Sequence, residues 1–204
     1  MEQHIFPTRI ISGQCQNFDI CNEISLLAEQ YKSGDVSTLL VSEKWNEQQR
    51  TADAKMKDAF GVTSFGTEDR LFDIEEWTRA ADFILDMARA LLGSDVATLT
   101  TMWVSVYPEG GYIPEHIHSD AVLSGVFYAK ALEGAGDLVF HDPAWVAKTS
   151  IRQNSAEAGF LVETKHFAKV QTGSMYLFPG WLPHSSMKNC SGEDRIIVGF
   201  NVCL

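Results

Sequence analysis

The spacing of apolar positions changes period near the middle of the chain. Between Asp19 and Lys32, the apolar residues Ile20, Ile24, Leu27 and Tyr31 recur at helical spacing, and Gly34 ends the run. A stronger stripe of Trp77, Ala81, Ile84, Ala88 and Leu91 predicts a second helix, with Asp73-Ile-Glu-Glu76 as its capping box and Gly93 at its end. Phe6, Ile10 and Ile11 mark an extended N-terminal segment over 1–14, and Leu39-Leu40-Val41 a short strand or helical turn. Residues 43–70 are polar and read as irregular chain with a short helix.

From Val96 onward the period falls to two. Over 99–107, Trp103, Ser105 and Tyr107 point one way and Met102, Val104 and Val106 the other. Gly110-Gly111 marks a turn. Further strands are predicted over Val122 to Ala131, Asp137 to His141, Met175 to Phe178 and Arg195 to Cys203, with a weaker one at Phe160-Leu-Val-Glu inside a loop over 144–169. Short strands between turns predict a sandwich or barrel. The expectation is a single domain over 1–204 that is mainly β with N-terminal helices: an α-rich part over 1–95 packs on a β core over 96–204.

Composition narrows the partners. The net charge of -11 disfavours nucleic acid and anionic membranes, and no apolar run is long enough to span a bilayer. Cys15, Cys21, Cys190 and Cys203 form no C-x-x-C pair, and the N-terminus carries no leader pattern. A cytoplasmic protein with free thiols is expected.

The chemistry concentrates in Tyr107-Pro-Glu-Gly-Gly-Tyr112-Ile-Pro-Glu-His116-Ile-His118. Histidines at i and i+2 of an extended segment share a face; so do His118 and Asp120. His184 follows 66 residues after His118, within Phe178-Pro-Gly-Trp-Leu-Pro-His184, and Arg195 opens the last apolar run eleven positions later. A histidine pair beside a Gly-Gly turn is commonplace by itself. The joint order of close pair, distant histidine and arginine points to a mononuclear non-haem iron site with an organic-acid co-substrate. His4, His141 and His166 lack such context and read as surface or packing residues.

These residues resemble the 2-oxoglutarate/Fe(II)-dependent oxygenase superfamily. Its prolyl hydroxylases carry Tyr-x-x-Gly…Tyr-x-x-His-x-Asp; Tyr107, Gly110, Tyr112 and His116 fall on that pattern with one extra residue before His116, and His118 takes the carboxylate position. The run from His116 to Tyr128 is closer to an uncharacterised bacterial and phage branch reading His-x-His…Leu-Ser-Gly-Val-Tyr-Tyr. The tail from Gly173 to His184, with Arg195 and Phe200-Asn201, matches the end of the same branch. The resemblance covers about residues 102–201.

The resemblance implies a double-stranded β-helix, a jelly-roll or cupin-like barrel. It also implies Fe(II), with 2-oxoglutarate and O₂ as co-substrates, and hydroxylation of a small molecule or protein side chain with release of succinate and CO₂. Two ligand sets are open: His116, His118 and His184, or a triad in which Asp120 joins His118 and His184. Arg195 would pair with the far carboxylate of 2-oxoglutarate, Tyr128 would hydrogen-bond it, and Tyr107 would sit at the metal end. Trp103, Phe178 and Trp181 are candidate pocket walls. Two alternatives remain: a three-histidine iron dioxygenase or cupin-like metalloenzyme without 2-oxoglutarate, and a non-enzymatic jelly-roll binding module.

Overall fold

The computed structural model of the chain describes residues 7–33, 61–65, 69–146 and 163–204. The short strand or helical turn expected at 39–41, most of the irregular stretch with a short helix expected over 43–70, the Phe160 end of the expected weak strand, and His4 lie outside these residues. Helix α1 spans Phe18–Ser33 and α2 spans Thr78–Leu92. The strands are β1 Ile11–Gln14, β2 Val62–Thr63, β3 Thr98–Tyr107, β4 Leu123–Lys130, β5 Leu138–His141, β6 Lys165–Ala168, β7 Ser174–Pro179, β8 His184–Ser186 and β9 Arg195–Cys203.

The strands form two antiparallel sheets. The larger has the order β1-β7-β4-β9-β3-β2 and the smaller β6-β5-β8. The inner strands β4, β7 and β9 and the second half of β3 are buried on both faces, and their alternation divides two cores. Met102, Val104 and Val106 of β3, Phe127 and Ala129 of β4, Met175 and Leu177 of β7, and Ile196, Val198, Phe200 and Val202 of β9 face the helices. They meet Ile20, Ile24 and Ala28 of α1 and Ala81, Ile84 and Ala88 of α2. Truncating a fully buried residue such as Ile84 costs about 2–5 kcal/mol through lost transfer energy and the cavity left behind. The other face packs Val126, Tyr128 and Phe178 against Leu138, Phe140 and Ala168 of the small sheet. The result is the double-stranded β-helix with helices on the outside of one sheet. In the loop between β3 and β4, His116 makes an isolated antiparallel bridge with His184 of β8.

The helix stripe ends as expected: Gly93 adopts φ 65° and its N–H closes the helix end on the Arg89 carbonyl. The start differs. Asp73 does not cap α2; its carboxylate takes the Arg70 guanidinium at 2.6 Å, and two 3-10 turns, Leu71–Asp73 and Glu75–Trp77, carry the chain to Thr78. An arginine three residues back competes for the same oxygen with the backbone N–H groups a capping box would serve. All four cysteines are free, and burial pushes the Cys21 thiol up to about 12. No helix among the described residues is long and apolar enough to cross a membrane.

Candidate metal centre

His116 and His184 face each other across two backbone hydrogen bonds, each N–H to the other's carbonyl at 3.0 Å. This narrow antiparallel pairing sets their side chains side by side. His118 lies two residues on, and its N–H is held by the Gly180 carbonyl at 2.8 Å. Gly180 is required there, because a Cβ would lie 2.2 Å from the Ala121 carbonyl oxygen and 2.7 Å from that of His118. The turn after β7 therefore docks directly on the His118 loop.

The three imidazoles converge. Ring centroids are 4.2 Å apart for His116 and His184, 5.1 Å for His118 and His184, and 5.2 Å for His116 and His118. Their candidate ligand nitrogens all lie within 4.8 Å of one another, and among the described residues no other group of His, Cys, Asp or Glu does this. Asp120 is exposed and lies outside the group.

The ring environments favour the ligand form. Nδ1 of His116 lies 2.9 Å from the Pro114 carbonyl, and Nδ1 of His184 lies 2.9 Å from the Leu182 carbonyl. A carbonyl only accepts, so both Nδ1 atoms carry the proton and both Nε2 lone pairs are free. Burial lowers the pKa of all three rings. His118 falls to about 4, through burial and then through His116, against the opposing pull of Asn201 and Asp120. His184 falls to about 3 for the same first two causes. All three are neutral donors at neutral pH.

Asn201 stands beside His118 with its own amide fixed: Ser124 Oγ donates to Oδ1 at 2.8 Å, and Nδ2 donates to Thr101 Oγ1 at 2.8 Å. The Trp103 indole stacks on the His118 ring at 5.5 Å. Gly199 makes room for that indole, since a Cβ there would lie 2.3 Å from it.

On the outer side of the same strands, His141 ties the two ligand segments together. Its Nδ1 reaches Glu115 Oε2 at 3.0 Å and its Nε2 reaches Ser185 Oγ at 2.8 Å. Burial and then Lys165 lower its pKa while Glu115 opposes them, so the contact is a neutral imidazole donating to a carboxylate rather than an ion pair. Glu115 and Ser185 are the immediate neighbours of His116 and His184. The sequence gives His141 no such context; only register (β5 against β8) places it there.

Two cavities meet at the histidines. The inner one, about 50 Å³, runs from His116, His118 and His184 past Trp103, Phe178 and Tyr128 to Arg195. Arg195 is 1% exposed. It donates to the Ala135 carbonyl, to the Met187 carbonyl at 3.0 Å and to Ser186 Oγ at 2.8 Å. Its guanidinium lies 4.8 Å from the Tyr107 ring centroid. No described carboxylate pairs with it. Burial pulls its pKa down, yet an arginine remains protonated. A buried cation without an anion is costly unless a ligand supplies the charge. Tyr128 and Tyr107 are buried beside it, and burial raises both phenols. Tyr107, expected at the metal end, is the direct cross-strand partner of Arg195 and also lines the outer cavity with His116 and His118. Trp181, expected as a pocket wall, is 52% exposed because it sits on the turn before β8.

The outer cavity, about 340 Å³, opens on the same metal face between β2, β3 and the loop carrying His116 and His118. Phe65, Trp103, Tyr112, Asp69 and Asp120 help to line it.

The family model described as "Putative 2OG-Fe(II) oxygenase" matches residues 101–201. This β core belongs to the 2-oxoglutarate/Fe(II) oxygenase superfamily. The fold is shared with solved members at low identity. A Pseudomonas putida prolyl-4-hydroxylase is 14% identical, with a TM-score of 0.56 over 95% of this chain and 92% of that one. EctD from S. alaskensis in its apo form is 14% identical, with a TM-score of 0.60 over 96% and 72%. AviO1 from Streptomyces viridochromogenes is 15% identical, with a TM-score of 0.56 over 95% and 90%. No curated protein matches the chain. The superfamily's cofactors are Fe(II) and 2-oxoglutarate, and the residues here fit both: neutral imidazoles suit Fe(II), and a buried guanidinium suits a dicarboxylate.

Proposed function

We propose that the protein is an Fe(II)- and 2-oxoglutarate-dependent dioxygenase that hydroxylates a substrate held in the outer cavity. The observation carrying this reading is Arg195, a buried cation without a carboxylate partner at the end of a cavity that opens on three convergent histidines. When bound, Fe(II) and 2-oxoglutarate supply the oxidising power, with succinate and CO₂ as co-products.

The chain's residues do the positioning. His116, His118 and His184 would hold the metal, His116 and His184 through their Nε2 atoms. Arg195 takes the far carboxylate of the co-substrate with its planar fork, and Tyr128 adds a hydroxyl donor; Tyr107 lies under the guanidinium and fixes its orientation. Trp103 and Phe178 wall the inner cavity and exclude water. Asp120, exposed and outside the histidine group, is left free of the metal. Residues 1–204 act as one domain, and the four free thiols fit a cytoplasmic setting.

Conversion of 2-oxoglutarate to succinate by the iron-loaded protein, without added substrate, tests this. Slow succinate formation is expected, and its absence in protein shown to hold iron counts against the reading. The all-imidazole donor set favours one rival, a three-histidine dioxygenase that uses no 2-oxoacid. Iron-dependent O₂ consumption with no effect of 2-oxoglutarate would select that rival.

A further inference from the structure

The outer cavity carries information about the substrate. Its volume, about 340 Å³, is at the small end of ordinary small-molecule pockets. Its walls are aromatic at Phe65, Trp103, Tyr107 and Tyr112, and among the described residues the only Asp, Glu, Lys or Arg side chains that line it are Asp69 and Asp120. Among the described residues neither carboxylate has an ion-pair partner, and no Lys or Arg lines the cavity. Lys188, whose ammonium lies 5.9 Å from the Tyr112 ring centroid, is outside the lining.

In the metal-free protein the field of this cavity is set by Asp69 and Asp120, within a chain of net charge -11, and the buried Arg195 guanidinium lies apart from it at the end of the inner cavity. A cation gains twice here, from the carboxylates and from the negative faces of the rings; an anion loses on both counts.

We infer that the outer cavity binds a small organic ammonium or amine on an apolar or aromatic body, and that Asp69 and Asp120 select its charge. The inference rests on the oxygenase reading only for the reaction this ligand would undergo; its binding does not depend on metal.

Ligand-observed NMR of the full-length, metal-free protein tests it with three probes of one shape: phenethylamine, phenethyl alcohol and 3-phenylpropionate. The amine is expected to bind about tenfold or more tightly than the carboxylate, with the alcohol between them and the amine's advantage shrinking as salt is raised. In the Asp69→Asn, Asp120→Asn double variant the preference should fall to about twofold or less, while circular dichroism and Co(II) affinity stay at wild-type levels. Equal or tighter binding of the carboxylate overturns the inference. So does failure to bind the amine at about 1 mM, a preference that survives in the double variant, or loss of Co(II) binding in that variant, which would make Asp120 a ligand. Succinate formation is a separate readout, so an inactive oxygenase that still selects the amine would leave this inference standing and remove the other.

Discussion

The inner and outer cavities share Trp103, Tyr107, Ile113, His116 and His118 but are built on opposite principles. The inner one is narrow, walled by residues that are almost fully buried, and ends in a guanidinium already tied to two carbonyls and a hydroxyl. The outer one is larger, lined by buried rings (Trp103, Tyr107) and partly exposed ones (Phe65, Tyr112), and among the described residues its lining Asp, Glu, Lys and Arg side chains are all acidic. A rigid, preformed cationic slot suits one unvarying dicarboxylate. An open acidic bowl suits a substrate that differs between enzymes of one fold. Where the two meet, the electrostatics change sign within the width of three imidazoles.

The largest expected effect comes from removing that shared boundary. His184→Ala should weaken Co(II) binding by more than about 100-fold, beyond the roughly 10–100-fold that partners outside the ligand set are worth. Visible absorption of the Co(II) protein measures it, and a variant that binds normally would remove His184 from the ligand set. Next is the inner cavity alone. Arg195→Met should weaken 2-oxoglutarate binding by about 100-fold while leaving Co(II) affinity within a few-fold, read by calorimetry on the Co(II) protein. Because Arg195 also satisfies the Ala135 and Met187 carbonyls, its melting temperature should fall too, and Arg195→Lys should keep more stability than affinity.

Behind the boundary, His141→Ala should cost about tenfold in Co(II) affinity by freeing the Glu115 and Ser185 neighbours of two ligands. A change in melting temperature without a change in affinity or in the Co(II) spectrum would reduce His141 to a packing role. The smallest effect is on pH. Four histidines have folded pKa values below their ordinary value, with His118 at about 4 and His184 at about 3. The unfolded chain therefore binds more protons than the folded one below about pH 6.5. Stability of the metal-free protein should fall as pH drops from that point towards 4, and saturating metal should suppress the fall near pH 6. A melting temperature that is flat between pH 7 and 5 would show the rings to be better solvated than their burial indicates.

What was legible in the sequence follows the same divide. Period-two alternation over 99–107 separates Trp103, Ser105 and Tyr107 from Met102, Val104 and Val106, and the structure makes the first set the cavity face and the second the helix face. The last strand begins at Arg195 and ends at Cys203, as its apolar run predicts. The α2 stripe is buried where expected because a helical period is a local property. Features that depend on register were not legible. The facing of His116 and His184 is a long-range pairing, and β8 is too short to show a period of its own. The His141 bridge depends on which strand lies beside β5. The placing of Tyr107 opposite Arg195 comes from the β3–β9 register, which its neighbours in sequence do not show. The outer cavity draws on segments 61–65, 101–107 and 112–120 together with Asp69 and Asn201, so its acidic and aromatic character has no signature along the chain.

The most direct test of the account is an anaerobic titration of the Fe(II) protein with 2-oxoglutarate, followed by visible absorption, in wild type and Arg195→Met. The account predicts a weak metal-to-ligand charge-transfer band that saturates with one equivalent in the wild type and needs about 100-fold more co-substrate in the variant. An iron-loaded wild type that develops no band, or a variant that titrates like the wild type, would contradict it.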